Sequence, residues 1–175
     1  SLTINNNTID ANTAVMSGGG IYCGPNSSAS ITNTTLSGNI AQSGDGGGIF
    51  SQGSLLGLTD SEVKNNQALN GGGISAYTSS ILLTQNLING NTASMNGGGI
   101  HLSTSFGSIT ACTINGNASQ AGSNSEGGGG IYISGSSPSI TGCTLRNNYS
   151  VSKGGGIAMK SSSAEISNST VAGNS

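Results

Sequence analysis

The sequence predicts an all-β solenoid, a parallel β-helix in which coils of about 25–31 residues stack on one another, each with three short strands. Two interleaved phrases predict this fold. Three glycines followed by isoleucine occur six times, and an aliphatic residue followed three places later by asparagine occurs seven times. Because the phrases continue across residues 1–175, we expect a single solenoid that is a section of a longer chain or filament.

The glycine phrase marks one point in every coil. Its isoleucines are 28, 25, 26, 31 and 26 residues apart. Glycine permits positive φ and close backbone approach, so we expect the connecting loop to re-enter the sheet here. Length varies mainly before the glycines, as in residues 119–127, so insertions should bulge from one corner. The six phrases are Gly18–Ile21, Gly46–Ile49, Gly71–Ile74, Gly97–Ile100, Gly128–Ile131 and Gly154–Ile157.

Each coil reads as three strands. The strand after the glycines alternates, so Ile21 and Cys23 should face inward and Tyr22 outward. Two further strands carry aliphatic residues five places apart, such as Ile31 and Leu36, and this odd spacing requires a tight corner between them. Such a coil cannot bury a core alone, so successive coils should stack at ~4.8 Å. The other residues expected to face outward, like Tyr22, are Phe50, Ser75, His101, Tyr132 and Ala158.

An asparagine column accompanies the aliphatic residues in all seven repeats. An Asn at the same corner of every coil can donate its amide to the side-chain carbonyl of the Asn in the next coil, and can satisfy turn backbone as well. We therefore expect a structural ladder. Its members are Asn12, Asn39, Asn66, Asn91, Asn117, Asn148 and Asn174.

Composition excludes several classes of protein. Charged residues make up 6% of the chain and the formal net charge is −2. No basic stripe is present to neutralise phosphates, so nucleic acid is not an expected partner. No run of ~18 apolar residues occurs, so no membrane span is expected in this segment. Regularly spaced aliphatic residues argue against disorder.

The repeats resemble those of the chlamydial polymorphic outer-membrane proteins and related extracellular β-helical surface proteins. The resemblance rests on pairs such as TLSGNIA before GGGIF and LINGNTA before GGGIH. Those proteins usually have Phe at the aliphatic position and Gly-Gly-Ala in the glycine phrase, which this chain lacks. The resemblance implies an extracellular, adhesive or structural β-helix. Together with the general preference for right-handed crossovers, it predicts a right-handed coil.

Two sets of residues are candidates for modification. Asn-x-Ser/Thr sequons at exposed corners or turns make Asn6, Asn26, Asn33 and Asn168 candidates for glycosylation. Sequons at Asn117 and Asn148 fall in the ladder and should be inaccessible. Cys112 and Cys143 occupy one repeat position in successive coils. They are either stacked buried thiols or a disulfide.

Catalytic and regular-surface functions are the alternatives. Parallel β-helices host polysaccharide lyases and hydrolases, which need clustered carboxylates, but only Asp60 and Glu62 lie close in sequence. A flat hydroxyl surface for ice or carbohydrate is the other alternative. It would consist of a Thr column beside Thr3, Ser30, Ser108 and Ser139. The column itself is Thr32, Thr59, Thr84, Thr110 and Thr141, continued by Asn5 and Ser167.

The sequence therefore predicts a non-catalytic structural or adhesive protein with no cofactor, no metal site and no catalytic residue. We expect an extracellular or cell-surface rod or filament segment, with glycans as a possible addition. Its expected partners are further coils at its ends, from the same chain or from another copy, and host or matrix glycans or proteins. Unpaired strand edges at the coil ends invite such pairing.

Overall fold

A computed structural model describes residues 1–120, 122 and 126–175. Most of the longest connection between coils, residues 121 and 123–125, lies outside the described residues. The described part contains 26 strands in six and a half coils. The first three coils comprise β1 (Leu2–Asn5), β2 (Thr8–Asp10), β3 (Thr13–Ala14), β4 (Ile21–Cys23), β5 (Ser28–Thr32), β6 (Thr35–Ser37), β7 (Ile40–Ala41), β8 (Ile49–Gln52), β9 (Leu55–Thr59), β10 (Glu62–Lys64), β11 (Gln67–Ala68) and β12 (Ile74–Tyr77).

The remaining coils repeat the same order. They comprise β13 (Ser80–Thr84), β14 (Leu87–Asn89), β15 (Thr92–Ala93), β16 (Ile100–Ser103), β17 (Phe106–Thr110), β18 (Thr113–Asn115), β19 (Ala118–Ser119), β20 (Ile131–Ser134), β21 (Ser137–Thr141), β22 (Thr144–Arg146), β23 (Tyr149–Ser150), β24 (Ile157–Lys160), β25 (Glu165–Ser167) and β26 (Thr170–Ala172).

The strands form four parallel sheets that run the length of the solenoid. We number the sheets by their first strand, so the first sheet contains β1 and every fourth strand after it, and the second, third and fourth sheets start in the same way from β2, β3 and β4. Within a sheet, each strand pairs with the equivalent strands of the adjacent coils. The stacked parallel coils confirm the predicted β-helix. The prediction of three strands per coil was wrong by one, because the two residues after each ladder Asn from Asn12 to Asn148, such as Thr92 and Ala93, pair with a neighbouring coil as a further strand.

The core is a set of aliphatic columns in exact register across coils. Ile49, Ile74, Ile100 and Ile131 are paired in sequence along the fourth sheet, and none of them is exposed. Each fully buried aliphatic side chain contributes about 1.5–3 kcal/mol through removal from water. Because each coil supplies only a few such residues, neighbouring coils must cover one another.

Each coil turns at four corners, and every corner contains at least one residue with positive φ. Asn26 (φ 60°) and Thr78 (φ 48°) lie between the fourth and first sheets, and Asp60 (φ 48°) lies between the first and second. Asn65 (φ 55°) precedes a ladder Asn between the second and third sheets, and the first glycine of each triplet forms the fourth corner. Because residues at equivalent corner positions adopt the left-handed backbone conformation, the backbone of every coil follows the same path.

The three glycines are needed for three different contacts. Gly71 has φ +59°, and a Cβ there would lie 2.3 Å from the carbonyl oxygen of Ile74. At Gly72 a Cβ would lie 2.5 Å from backbone atoms of Thr92, and at Gly73 it would lie 2.7 Å from the carbonyl oxygen of Gly99. A side chain is therefore excluded at Gly71 by the turn of its own coil, and at Gly72 and Gly73 by the backbone of the next coil.

Candidate functional site

The asparagine column forms a continuous hydrogen-bonded ladder. Within it, the Asn91 backbone N–H and side-chain Nδ2 both donate to Oδ1 of Asn117, at 3.0 and 2.9 Å. The Asn91 Nδ2 also donates to the carbonyl oxygen of Val63 at 2.8 Å. The same backbone and side-chain donations link each successive pair from Asn12 to Asn174. Every ladder amide is therefore engaged in holding one coil to the next.

Two further corners carry ladders that sequence reasoning missed. Ser79 N–H donates to Oγ of Ser105 at 3.1 Å, and Ser105 N–H donates to Oγ of Ser136 at 2.8 Å. Thr34 N–H donates to Oγ of Ser61 at 3.1 Å, in a column whose residue type varies from coil to coil. Repeated serines at Ser54, Ser79, Ser105, Ser136 and Ser162 were the available signal for the first of these ladders.

Cys112 and Cys143 lie in the same column as Thr34 and Ser61, the column whose residue type varies. Both are free, buried thiols in this structure. Cys112 Sγ accepts a hydrogen bond from the Asn86 N–H at 3.5 Å and donates to the Thr110 carbonyl at 3.4 Å. Its interaction with the Cys143 side chain and its burial raise the pKa of the Cys112 thiol. The thiol therefore occupies the position that the Ser61 and Ser169 hydroxyls fill in other coils.

Substitution of Cys112 should reveal this role. Cys112→Ser should change the free energy of unfolding by less than about 1 kcal/mol, because the hydroxyl can make the same bonds. Cys112→Ala should cost about 1–3 kcal/mol, because it leaves the buried Asn86 N–H without its acceptor. Denaturant unfolding followed by circular dichroism would measure both variants. An equal loss in the two would contradict a hydrogen-bonding role.

The four sequon asparagines proposed for glycosylation lie at the surface. Asn6, Asn33 and Asn168 stand at the corner between the first and second sheets, with φ of 57°, 47° and 49°. Asn26 lies at the corner that follows the fourth sheet. All four are exposed. Asn33 Nδ2 donates to Oδ1 of Asn6, so these two amides contact each other.

The outer face of the fourth sheet differs most from expectation. Tyr22 is exposed as predicted, but Phe50, Ser75 and Tyr132 are buried although they point away from the core. The first glycine of each triplet packs against the base of the side chain four residues later. A Cβ on Gly71, for example, would lie 2.7 Å from the Cβ of Ser75. Rings of the adjacent coils also cover two of these side chains: Tyr22 packs against Phe50, and His101 stacks on Tyr132.

His101 is half-buried in the same column rather than freely exposed. Its ring stacks on Tyr132 with centroids 5.5 Å apart and planes 3° apart. Its Nδ1 lies 3.1 Å from the Ser75 Oγ. Burial lowers the pKa of His101, and the negative charge of Asp45 offsets this only in part. Ser75 has no exposed surface, so its hydroxyl is not placed to attack a substrate.

The lowered pKa of His101 predicts a pH dependence of stability. The unfolded chain binds a proton near the ordinary His value of 6.5, whereas the folded chain resists it. Stability from this residue is therefore present above that value and lost as the pH falls through it. The melting temperature should decrease between pH 8 and pH 5. His101→Gln should flatten the curve over this range, and the same slope in both proteins would contradict the assignment.

A ridge of polar side chains borders this face just before the glycines. Asn70 Nδ2 donates to Oδ1 of Asp45 at 2.9 Å, and Asn96 Nδ2 donates to Oδ1 of Asn70 at 3.1 Å. The ridge ends at Glu126, which forms ion pairs with Lys153 at 2.8 Å and with Lys160 at 3.3 Å. The carboxylates of Asp45 and Glu126 are thus bound by side chains from neighbouring coils.

The Thr column expected on the first sheet is in register. Thr59 pairs with Thr84, which pairs with Thr110, and all of these side chains are partly exposed. The neighbouring column is broken by Leu82, and Phe106 protrudes beside it with 61% of its surface exposed. The regular hydroxyl surface is therefore one residue wide, which is unfavourable for matching a flat ice lattice.

The acidic pair considered for catalysis lies on a shallow groove. The groove has a volume of about 350 Å³ and includes Asp60, Glu62 and Gln85 in its lining. Glu62 Oε2 is 2.6 Å from Lys64 Nζ, and its Oε1 accepts from Asn89 Nδ2 at 3.3 Å. Among the described residues, no group of three or more His, Cys, Asp or Glu side chains is arranged to hold a metal ion.

Fold and geometry together define the class: a right-handed parallel β-helix with polar ladders at its corners. Residues 1–175 match the family described as the right-handed beta helix region, and the chain belongs to that family. No curated protein and no solved structure gives a significant match. No helix in residues 1–120, 122 and 126–175 is long and apolar enough to cross a membrane.

Proposed function

We propose that this chain is a non-catalytic, extracellular structural and adhesive β-helix, a rigid segment of a rod or filament. The observation that carries the proposal is the Asn ladder, which links all seven repeats through side-chain hydrogen bonds that are buried from Asn39 to Asn148. A column of this kind resists bending and shear between coils because every coil is bonded to the next by side chains as well as by backbone. The membership of the chain in the right-handed β-helix family is consistent with this role.

The condition of the acidic residues supports the non-catalytic part of the proposal. Glu62 and Glu126 are ion-paired with lysines, and Asp45 accepts hydrogen bonds from Asn70. A general acid or base needs a carboxyl group that can reach a substrate proton. The carboxylates of Glu62, Glu126 and Asp45 instead bind neighbouring lysine and asparagine side chains.

An assay for polysaccharide cleavage tests the proposal against its enzymatic alternative. Purified protein would be incubated with pectin and with neutral glucans, and new reducing ends or unsaturated products would be measured. We expect no product above the level without protein. Product formation that is lost in Asp60→Asn or Glu62→Gln would overturn the proposal in favour of a lyase or hydrolase.

The two end faces of the solenoid are the proposed sites of association. Met159, Ile166 and Val171 are exposed at one end, and Leu2 is exposed at the other. Another coil, supplied by the same chain or by a second copy, would cover these side chains and pair the open strand edges. Sedimentation should show assembly that increases with protein concentration, and Val171→Lys should weaken it. A monomer at all concentrations would count against association between copies.

Glycans on the exposed corner asparagines are part of the same proposal. Secretion from a eukaryotic host should add glycan mass at Asn6, Asn26, Asn33 or Asn168, and none at Asn117 or Asn148, which are fully buried in the ladder. Peptide mass spectrometry with and without glycosidase would locate the sugars. Occupancy of Asn117 would contradict the ladder.

A further inference from the structure

Three large apolar side chains project from the outer face of the first sheet. Leu55, Leu82 and Phe106 are 51%, 52% and 61% exposed. They lie on β9, β13 and β17, which are adjacent strands in the middle of that sheet. Each of these strands is paired on both sides, so the exposure does not arise from an end of the solenoid. We call these three residues and their small outward neighbours on the same strands the first-sheet patch.

Large and small residues alternate across the first-sheet patch. Each of the three strands presents one large and one small residue, in two neighbouring columns. Along the coils, the first column is large, small, large, and the second is small, large, small. The first column comprises Leu55, Ser80 and Phe106, and the second comprises Gly57, Leu82 and Ser108. Every strand of the patch therefore has a projecting side chain beside a hollow.

One of these hollows is visible as a groove beside Leu55. The groove has a volume of about 270 Å³ and extends along the sheet from Leu82 to Leu2, with Gly57 in its lining. Gly57 has no side chain, and the nearest atom to an added Cβ would be the Ala29 carbonyl oxygen at 3.7 Å. The groove therefore has room for an aliphatic side chain from another molecule.

The strands around the first-sheet patch carry no charge. β1, β5, β9, β13, β17 and β21 contain no Asp, Glu, Lys or Arg, and Glu165 on β25 is the first charged residue along this sheet. Burying a charge without a partner is unfavourable, and two identical charged faces would oppose like charges. Two copies of this face can meet without that cost. The Thr column beside the patch supplies a polar rim, as is usual for protein interfaces.

We propose that the first-sheet patch binds the same patch of a second copy, around a two-fold axis parallel to the solenoid axis. Such an axis, midway between the two columns, sets each coil against the equivalent coil of the other copy and the first column against the second. Every large residue then faces a small one. The facing pairs, each present twice, are Leu55 with Gly57, Leu82 with Ser80, and Phe106 with Ser108.

The alternative two-fold arrangement lacks this fit. An axis perpendicular to the solenoid and centred on β13 would set Leu82 against Leu82 and Leu55 against Phe106, large against large. The parallel arrangement also lets both solenoids continue in the same direction. The pairing goes beyond the proposed function, because it uses the side of the rod rather than its ends.

The size of the face sets the strength of the pairing. Six uncharged strands at ~4.8 Å and five residues at ~3.3 Å give a face of roughly 29 by 16 Å. Because side chains protrude from it, two copies would bury about 1,000 Å² of accessible surface, the lower limit for a specific interface. We therefore expect a reversible dimer with a dissociation constant in the micromolar range.

Sedimentation equilibrium tests the pairing in a Val171→Lys parent, because that change weakens the association proposed for the end faces. We expect a monomer–dimer equilibrium. Leu82→Ser removes a projecting side chain and Ser80→Leu fills a hollow, so each should weaken dimerisation about tenfold or more. The double variant exchanges the two sizes and should restore the dissociation constant to within about threefold of the parent. Circular dichroism would verify the fold of each variant.

Leu87→Ser is the matched control, because Leu87 is 37% exposed on the second sheet and its loss should leave the dimer unchanged. A parent protein that stays monomeric at about 1 mM would overturn the pairing, as would equal weakening by Leu87→Ser and Leu82→Ser. Failure of the double variant to restore the dimer would overturn the parallel arrangement. End-face association is decided separately, by comparing the Val171→Lys parent with the unmodified chain.

Discussion

Replacing Asn91 with alanine should lower the free energy of unfolding by about 4 kcal/mol or more. The change removes the acceptor of two hydrogen bonds, from the backbone N–H and the Nδ2 of Asn66, both at 3.0 Å. It also removes the donor to Val63 O and to Asn117 Oδ1. Water cannot replace these bonds because the site is fully buried. Each polar group left unsatisfied costs about 1–3 kcal/mol.

Asn89→Ala is the matched control for this variant. Asn89 lies two residues earlier on the outer side of the coil, and its one side-chain bond, to Glu62, is long at 3.3 Å. Its replacement should cost less than about 0.5 kcal/mol. Equilibrium unfolding in guanidinium chloride would compare the two. Similar stabilities for Asn91→Ala and Asn89→Ala would show that the ladder does not hold the coils together.

Replacing Gly72 with alanine should destabilise the protein by about 3 kcal/mol. The added Cβ would lie 2.5 Å from the carbonyl carbon and oxygen of Thr92 and 2.6 Å from the carbonyl oxygen of Gly98. These are backbone atoms of neighbouring coils, so they cannot move aside as a flexible side chain would. Gly72 does not have positive φ, so the loss would report steric contact alone.

Gly57→Ala controls for the loss of glycine itself. Gly57 is also a strand residue without positive φ, but the nearest atom to an added Cβ is the Ala29 carbonyl oxygen at 3.7 Å. Alanine there should be neutral or slightly stabilising, by up to about 1 kcal/mol. The same unfolding experiment measures both variants. A Gly72→Ala protein as stable as Gly57→Ala would mean that the coils lie further apart at the glycines.

Much of the fold could be predicted because identical residues recur where the physics is identical. The inward isoleucines and the ladder asparagines each perform one task in every coil, so their identity repeats. The fourth strand was missed because two residues, such as Thr13 and Ala14, are too few to show alternation. The variable ladder was missed because Ser61, Asn86 and Cys112 all accept a hydrogen bond through the side chain but are of different residue types.

The contact between Tyr22 and Gln52 could not be predicted from the repeat pattern alone. The two residues occupy different positions in their repeats, and the Tyr22 hydroxyl reaches Gln52 only because the Tyr22 ring leans over Gly24. The burial of Phe50 and Tyr132 was missed for a related reason. Alternation predicts the direction in which a side chain leaves the strand, but not that a ring of the adjacent coil will cover it.

Distances between spin labels along the Thr column test the stacking of coils most directly. Labels on cysteines introduced at Thr32 and Thr141, in a background without native cysteines, are separated by four coil rises, and labels at Asn5 and Ser167 by six. Pulsed electron resonance should give separations of about 19 Å and about 29 Å, set by ~4.8 Å per coil and widened by the label linkers. Separations that do not grow with the number of intervening coils would contradict the solenoid and every interaction assigned to it.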